Sequence, residues 1–220
     1  MIKLKKLDQP ASLKQNKAKW TAELLTAIEN GNKNDIRSKK NKYNRPDVKE
    51  QLKAETKEKC AYCESKVTVV AHGEIEHITP KSARPELTFE WENLTFACQK
   101  CNGKKSDKEG IVDPYVDLIE EHLFFVGHFL RGKTEIGRFT VMQLDLNRAE
   151  LVGDRSDQLG VIADTLEKIA NEPNVRLKKL YINALSDDLD SCKPEYIYMK
   201  WSAIAQYKNY NVSHNNQRKE

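Results

Sequence analysis

The sequence predicts an α+β fold. A small core of short strands and one short helix, fastened at both ends by cysteine pairs, follows N-terminal helices and precedes a mostly helical C-terminal region. Three observations predict this. Two C-x-x-C pairs, Cys60/Cys63 and Cys98/Cys101, lie 34 residues apart and bracket short β-rich pieces. Apolar residues recur at helical spacing before Cys60 and again after residue 148. Between the cysteine pairs the breakers Gly73, Pro80 and Pro85 leave room only for short elements.

Composition narrows the class. The chain has 220 residues, enough for one large domain or for a small catalytic unit with helical additions. It is 39% hydrophobic and 32% charged, polar for a globular protein, yet its apolar-periodic stretches exclude wholesale disorder. No run of about 18 apolar residues occurs, so no membrane-spanning helix and no membrane partner are expected. Met1–Lys6 has no apolar segment after its charges, so it does not read as a signal peptide, and a cytoplasmic location follows as the default. Five cysteines in a reducing compartment point to thiols or metal ligands. The net charge is only +4, but the basic residues are grouped. Arg37, Lys39, Lys40, Lys42 and Arg45 form a run with no acid inside it, and Lys100, Lys104, Lys105 and Lys108 flank the second cysteine pair. Such runs suit a polyanion, and equally a solvated surface.

In chain order, residues 1–10 read as a basic extended arm ending at Pro10. Ser12 to about Asn30 reads as a helix, with Leu13, Trp20, Leu24 and Ile28 on one face and Gly31 as the stop. Residues 31–45, rich in Asn, Lys and Gly, read as a mobile loop. A second helix starts at Pro46, with Val48 and Leu52 as its apolar stripe. Val67–Val70 and Ile75–Ile78 read as strand pieces about Gly73, Pro80 to Pro85 as a loop, Leu94–Ala97 as a strand, and the residues after Cys98 as a short helix. Leu123–Leu130 reads as a strand or hairpin. Val141–Leu146 stays open between strand and helix. Residues 148–170 read as a helix burying Leu151, Leu159, Ile162, Leu166 and Ile169. Segments 174–186 and 195–208 read as helices whose apolar and aromatic residues join the core, and the last residues as a frayed end. The expected organisation is an arm and helix over 1–45, a metal-stapled core over 46–113 and a mostly helical region over 114–220.

Each C-x-x-C supplies two thiolates from one tight turn, so Cys60, Cys63, Cys98 and Cys101 complete a tetrahedral zinc site. Four thiolates leave no open position, which makes this zinc structural. It would staple a stretch too short to hold itself together by burial alone. A redox dithiol, or four unrelated buried thiols, are the rival readings, and the His- and Asn-rich insert fits them poorly. Cys192 reads as packed in a helical face, and His72 as a surface residue.

Between the knuckles lies Glu74-Ile-Glu76-His77-Ile, an alternating run. A neutral His at a strand end can take a proton from water near neutral pH, and a carboxylate with an amide oxygen can hold a hard divalent cation that polarises a phosphodiester. Strand neighbours point to opposite faces, so Glu76 and His77 serve one site only if the strand end twists. At these residues the sequence resembles the HNH endonuclease family. Ile75-Glu-His77-Ile-Thr-Pro80-Lys-Ser82 looks like that family's first strand. Trp91-Glu-Asn93-Leu94 looks like the segment with its middle Asn, and Cys101-Asn102-Gly-Lys-Lys105 like its closing helix. The resemblance implies a ββα-metal core in which His77 activates water, Asn93 orients His77, and Glu76 and Asn102 bind a catalytic Mg²⁺ or Mn²⁺. It also implies that Lys105 sits near the phosphate, with Lys81 and Lys104 as further contacts to nucleic acid. The last motif position is Asn and not His, a variation shared with the HNH domains of CRISPR effectors. Glu at the first metal position leaves the metal geometry open.

The layout around this core resembles the PtuB nuclease subunits of Septu and retron-type anti-phage systems. That resemblance implies an ABC-type ATPase partner, PtuA-like. The sequence thus predicts a metal-dependent nuclease acting on DNA or RNA. The alternative is a non-catalytic zinc module that binds nucleic acid or protein and needs only the cysteines and the basic runs.

Overall fold

A computed structural model describes residues 1–67, 72–191 and 194–206. Most of the expected strand Val67–Val70 and all of Cys192 lie outside the described residues. The first ten residues form no regular element and lie against the core: Met1 is buried, and Leu7 accepts a 2.8 Å hydrogen bond from the Trp91 indole.

Helix α1 (Ala11–Glu29) buries Leu13, Trp20, Leu24 and Ala27, while Ile28 at its end stays partly exposed. Its start is fixed by Ser12, whose backbone N–H and hydroxyl both donate to Asp47. The loop expected over 31–45 contains a helix, α2 (Lys33–Lys39). Two local causes explain it. The Asn32 side chain caps the N-terminus by accepting from the N–H groups of Asn34 and Asp35, and Ile36 and Tyr43 pack against the core. Composition concealed this helix because only those two residues of the segment carry apolar surface. Helix α3 (Pro46–Thr56) begins at its proline and buries Val48 and Leu52, then ends on Lys57 in the left-handed region.

The central sheet has two strands, β1 (Glu74–His77) and β2 (Leu94–Ala97), antiparallel with Glu74 opposite Ala97 and His77 opposite Leu94. All of β2 is buried. Gly73 precedes β1 at φ +60°, and a β-carbon there would come within 2.1 Å of the Phe96 ring, so the strand can pass over Phe96 only with glycine at this position. Two short 3₁₀ turns, Pro85–Leu87 and Trp91–Asn93, carry the chain from β1 to β2. Helix α4 (Gln99–Lys105) follows directly, giving the strand–strand–helix order.

Beyond it, α5 (Ile119–His122) leads into the hairpin β3 (Leu123–Val126) and β4 (Phe129–Gly132), which turns at Gly127 with φ +57°. Val141–Leu146 resolves as the end of α6 (Glu135–Gln143) and a turn that buries Leu144 and Leu146. Helix α7 (Ala149–Asn171) buries Leu151, Ile162, Leu166 and Ile169 as its periodicity predicts, with Leu159 partly buried.

Helix α8 (Val175–Asp190) departs from expectation. Val175 is 81% and Leu180 54% exposed, and Leu177 and Tyr181 are also exposed. Residues 197–206 are helical as well, with Trp201 exposed. Periodicity shows that a helix has an apolar stripe, not that a neighbour covers it. One hydrophobic cluster runs from Met1 and α1 through β1 and β2 to Leu151, Tyr196 and Met199, so residues from all parts of the chain share it. Among the described residues no helix is long and apolar enough to cross a membrane.

Candidate active site and metal centre

The four cysteines meet in space. Residues 60–65 form the first knuckle: the Cys60 N–H donates to Ser65 O, the Glu64 N–H donates to Cys60 O, and Glu64 takes φ +65°. The second knuckle is the start of α4, where the Cys98 sulfur accepts from the Cys101 N–H. Ala61 donates its N–H to Phe96 O at 2.9 Å, which ties the first knuckle to β2 and so brings it to the second. All four sulfurs lie within 4.8 Å of one another and none is in a disulfide. The Cys63 and Cys98 sulfurs are 3.9 Å apart, against about 3.8 Å between the ligands of a tetrahedral zinc site with 2.3 Å bonds. Burial pushes the Cys60 thiol well above its ordinary pKa while hydrogen bonds from the neighbouring thiols pull Cys63 and Cys98 below theirs, so the four ionise together only with a cation among them. An Arg148 N–H lies 3.8 Å from the Cys101 sulfur and offsets the excess charge that four thiolates keep after binding one divalent ion. The donor set, spacing and charge fit zinc.

β1 leads away from this centre: Glu74 pairs with Ala97, next to Cys98, and the strand ends at His77, opposite Leu94. Glu76 and His77 are 5% and 4% exposed, and both border one cleft of about 540 Å³. The chain bends immediately after His77, so the strand alternation that would separate the two side chains lapses there. The cleft is walled by Ile28, Ile36, Lys40 and Tyr43 on one side and by Ile75, Pro80, Lys81 and Asn102 on the other.

His77 has a defined tautomer. Its Nε2 lies 3.0 Å from the carbonyl oxygen of Thr88, which can only accept, so Nε2 carries the proton and Nδ1 keeps its lone pair. Burial first, then the ammonium of Lys81 and more weakly that of Lys105, pushes the His77 pKa down to about 3, against the opposing pull of the Thr88 carbonyl. The imidazole is therefore neutral at physiological pH.

Asn93 fixes the loop that leaves His77. Its side-chain oxygen accepts from the Thr79 N–H at 2.7 Å, and its amide donates to Thr79 O and Leu87 O at 3.0 and 3.1 Å. Its own carbonyl accepts from the Ile78 N–H at 2.9 Å. These bonds join the two residues after His77 to the turn before Thr88, and so hold both ends of the His77–Thr88 contact.

Lys105 lies beneath the site. It is fully buried and donates to His77 O at 2.7 Å, with its ammonium 2.9 Å from Glu76. A side chain so placed does not reach a phosphate in the cleft; it holds Glu76 and the β1 backbone from below. Burial raises the Glu76 pKa, and Lys105 opposes that rise. Asn102, on α4, donates its amide to Glu74, and its side-chain oxygen has no hydrogen-bond partner among the described residues. Glu76 and Asn102 thus line the same cleft, and their side-chain oxygens are hard donors of the kind that could contribute to holding a divalent cation. Lys81 lies on the cleft wall. Lys104 is exposed and 3.3 Å from Asp145.

Two residues of the site escape sequence reasoning. Glu74, two positions before Glu76, partners Asn102. Tyr43 comes from the segment read as a loop, and its ring packs edge-on against His77 with centroids 4.5 Å apart. The available signal was that Tyr43 is the only aromatic residue among 31–45. The basic run before it is partly neutralised within the fold: Lys39 and Lys42 pair with Glu23, and Arg45 lies 5.5 Å over the Trp20 ring.

Two strands and a helix presenting Glu-His, Asn and Asn beside a four-cysteine centre agree with the family comparison, in which residues 60–108 match the HNH endonuclease model. These residues form an HNH endonuclease domain. The chain is also similar to two curated relatives. It is 36% identical over 155 residues to a Septu protein PtuB of Bacillus thuringiensis, covering 68% of this chain and 56% of that protein. It is 30% identical over 152 residues to a Septu protein PtuB of Bacillus mycoides (strain KBAB4), covering 52% of this chain and 51% of that protein. The chain therefore spans about half the length of the curated relatives it matches. The HNH domain lies wholly within the described residues except for 68–71.

Proposed function

We propose that this chain is a metal-dependent endonuclease that hydrolyses phosphodiester bonds in nucleic acid. The observation that carries this reading is the His77 tautomer: a buried, neutral imidazole with Nε2–H committed to Thr88, in the same cleft as the oxygens of Glu76 and Asn102. In this reading Nδ1 of His77 takes the proton of the attacking water. Asn93 positions His77 by pinning the loop on both sides of the His77–Thr88 bond. Glu76 and Asn102 hold a Mg²⁺ or Mn²⁺ ion, which when bound stabilises charge on the phosphate and on the leaving oxygen. Lys81 on the cleft wall, and Lys104 outside it, meet the nucleic-acid backbone, while Lys105 keeps Glu76 in place. The cysteine centre holds zinc as a structural ion.

We take residues 46–113 as the catalytic unit, 1–45 as an arm and helix that complete its cleft, and 114–220 as a supporting region. The similarity to Septu proteins supports a role as the cytoplasmic effector subunit of an anti-phage system, working with an ABC-type ATPase of the PtuA kind. The test is incubation with Mg²⁺ or Mn²⁺ against plasmid, single-stranded DNA and tRNA, with and without that ATPase. Cleavage that His77→Ala abolishes supports the reading; equal cleavage by the variant rejects it.

A further inference from the structure

The segment over residues 31–45 contributes a wall to the cleft, and one of its residues touches the central histidine. Tyr43 makes two separate contacts there. Its ring meets the His77 imidazole edge-on, at 84° between planes and 4.5 Å between centroids. Its hydroxyl accepts a 2.8 Å hydrogen bond from the Lys81 ammonium, which also lies 4.6 Å from the ring centroid. His77 has one hydrogen bond through Nε2, to Thr88. A single bond at one ring nitrogen does not by itself fix the ring plane, and an edge-on aromatic neighbour adds a second, directional restraint. Lys81, a long side chain with a large rotamer entropy, is held at the cleft wall by the phenol.

We propose that Tyr43 is a positioning residue of the nuclease site, which fixes the His77 ring through its own ring and the Lys81 ammonium through its hydroxyl. The inference rests on His77 being the base. Tyr43 follows α2, whose N-terminus Asn32 caps and whose Ile36 packs on the core, so the cap and anchor of α2 help to bring it to the site.

The two contacts separate by substitution. Tyr43→Phe keeps the ring and removes the hydroxyl. It is expected to raise KM about tenfold, the worth of one hydrogen bond to a charged group, with kcat little changed. Adding Lys81→Ala to Tyr43→Phe should then cost less than Lys81→Ala alone costs in the native background. Tyr43→Leu removes both contacts and is expected to lower kcat by at least about tenfold, because a misaligned base is felt in the chemical step. The ring-proton resonances of His77 should shift in Tyr43→Leu and stay in place in Tyr43→Phe, a readout independent of turnover. The measurements use the full chain, with its ATPase if that is needed for cleavage, and the nucleic acid that the native protein cuts. If His77→Ala is inactive while Tyr43→Leu retains native kcat, KM and His77 resonances, the role given to Tyr43 is wrong and the assignment of His77 stands. If His77→Ala cleaves as well as the native protein, the site reading itself falls, and the role of Tyr43 with it.

Discussion

Lys105 donates to the backbone carbonyl of His77 at 2.7 Å from a position with no exposure to solvent. The same ammonium lies 2.9 Å from Glu76, so one cation on α4 holds two consecutive residues of β1. Replacing it takes the paired ammonium from a buried carboxylate and the donor from a buried carbonyl. Lys105→Met is expected to destabilise the fold by about 3–5 kcal/mol in urea unfolding. Glu76→Gln combined with Lys105→Met should recover a large part of that loss, since the uncompensated charge is then gone. Additive losses would show that the pair is not coupled.

Asn93 makes three side-chain hydrogen bonds, one as acceptor and two as donor. Asn93→Ala is expected to cost about 3 kcal/mol through the unpaired groups it leaves. Asn93→Asp should cost more despite its similar shape, because a carboxylate would face the carbonyls of Thr79 and Leu87. Thermal unfolding of the two variants gives the order; the reverse order would contradict the bonding described.

The acid dependence follows from His77. Its folded pKa, about 3, lies below the ordinary value of 6.5. Between these values the unfolded chain binds a proton that the folded protein does not, so the contribution of His77 to stability is fully present above pH 6.5 and is lost as pH falls toward 3. The same shift keeps the base unprotonated across the neutral range. We expect the kcat/KM profile to lack an inflection near the usual histidine value and its acid limb to fall below about pH 6. A limb centred on the ordinary value would mean that His77 is solvated in the working enzyme.

Metal removal tests the cysteine centre. The cysteine centre joins the first knuckle to α4, and the Ala61 N–H to Phe96 O bond joins that knuckle to β2. One zinc per chain is expected by elemental analysis. A strong chelator, or Cys60→Ser, should remove about 10 kcal/mol or more of folding free energy and unfold the nuclease core, seen as loss of near-ultraviolet dichroism. Retention of the folded spectrum without metal would make the thiols a packing feature alone.

What the sequence determined by itself is the local chemistry. The two C-x-x-C pairs, the Glu76-His77 run, the short strands on either side of the Pro80–Pro85 segment and the helix carrying Asn102 are encoded by residues close together in the chain, and each element forms within a residue or two of where its pattern places it. The tertiary structure decided which groups face one another. Lys105 reads as a phosphate contact within a basic run, and only the packing of α4 under β1 turns it inward to Glu76 and His77. Residues 31–45 read as a loop because two apolar residues are too few to reveal a period, and only the neighbouring core gives Ile36 and Tyr43 something to pack against. The stripe of α8 is equally plain in the sequence, and there the fold leaves it uncovered. Periodicity records what a segment has to bury. Whether a partner is supplied, and whether that partner is a core, a catalytic histidine or nothing in this chain, depends on contacts between residues tens of positions apart, which local pattern does not encode.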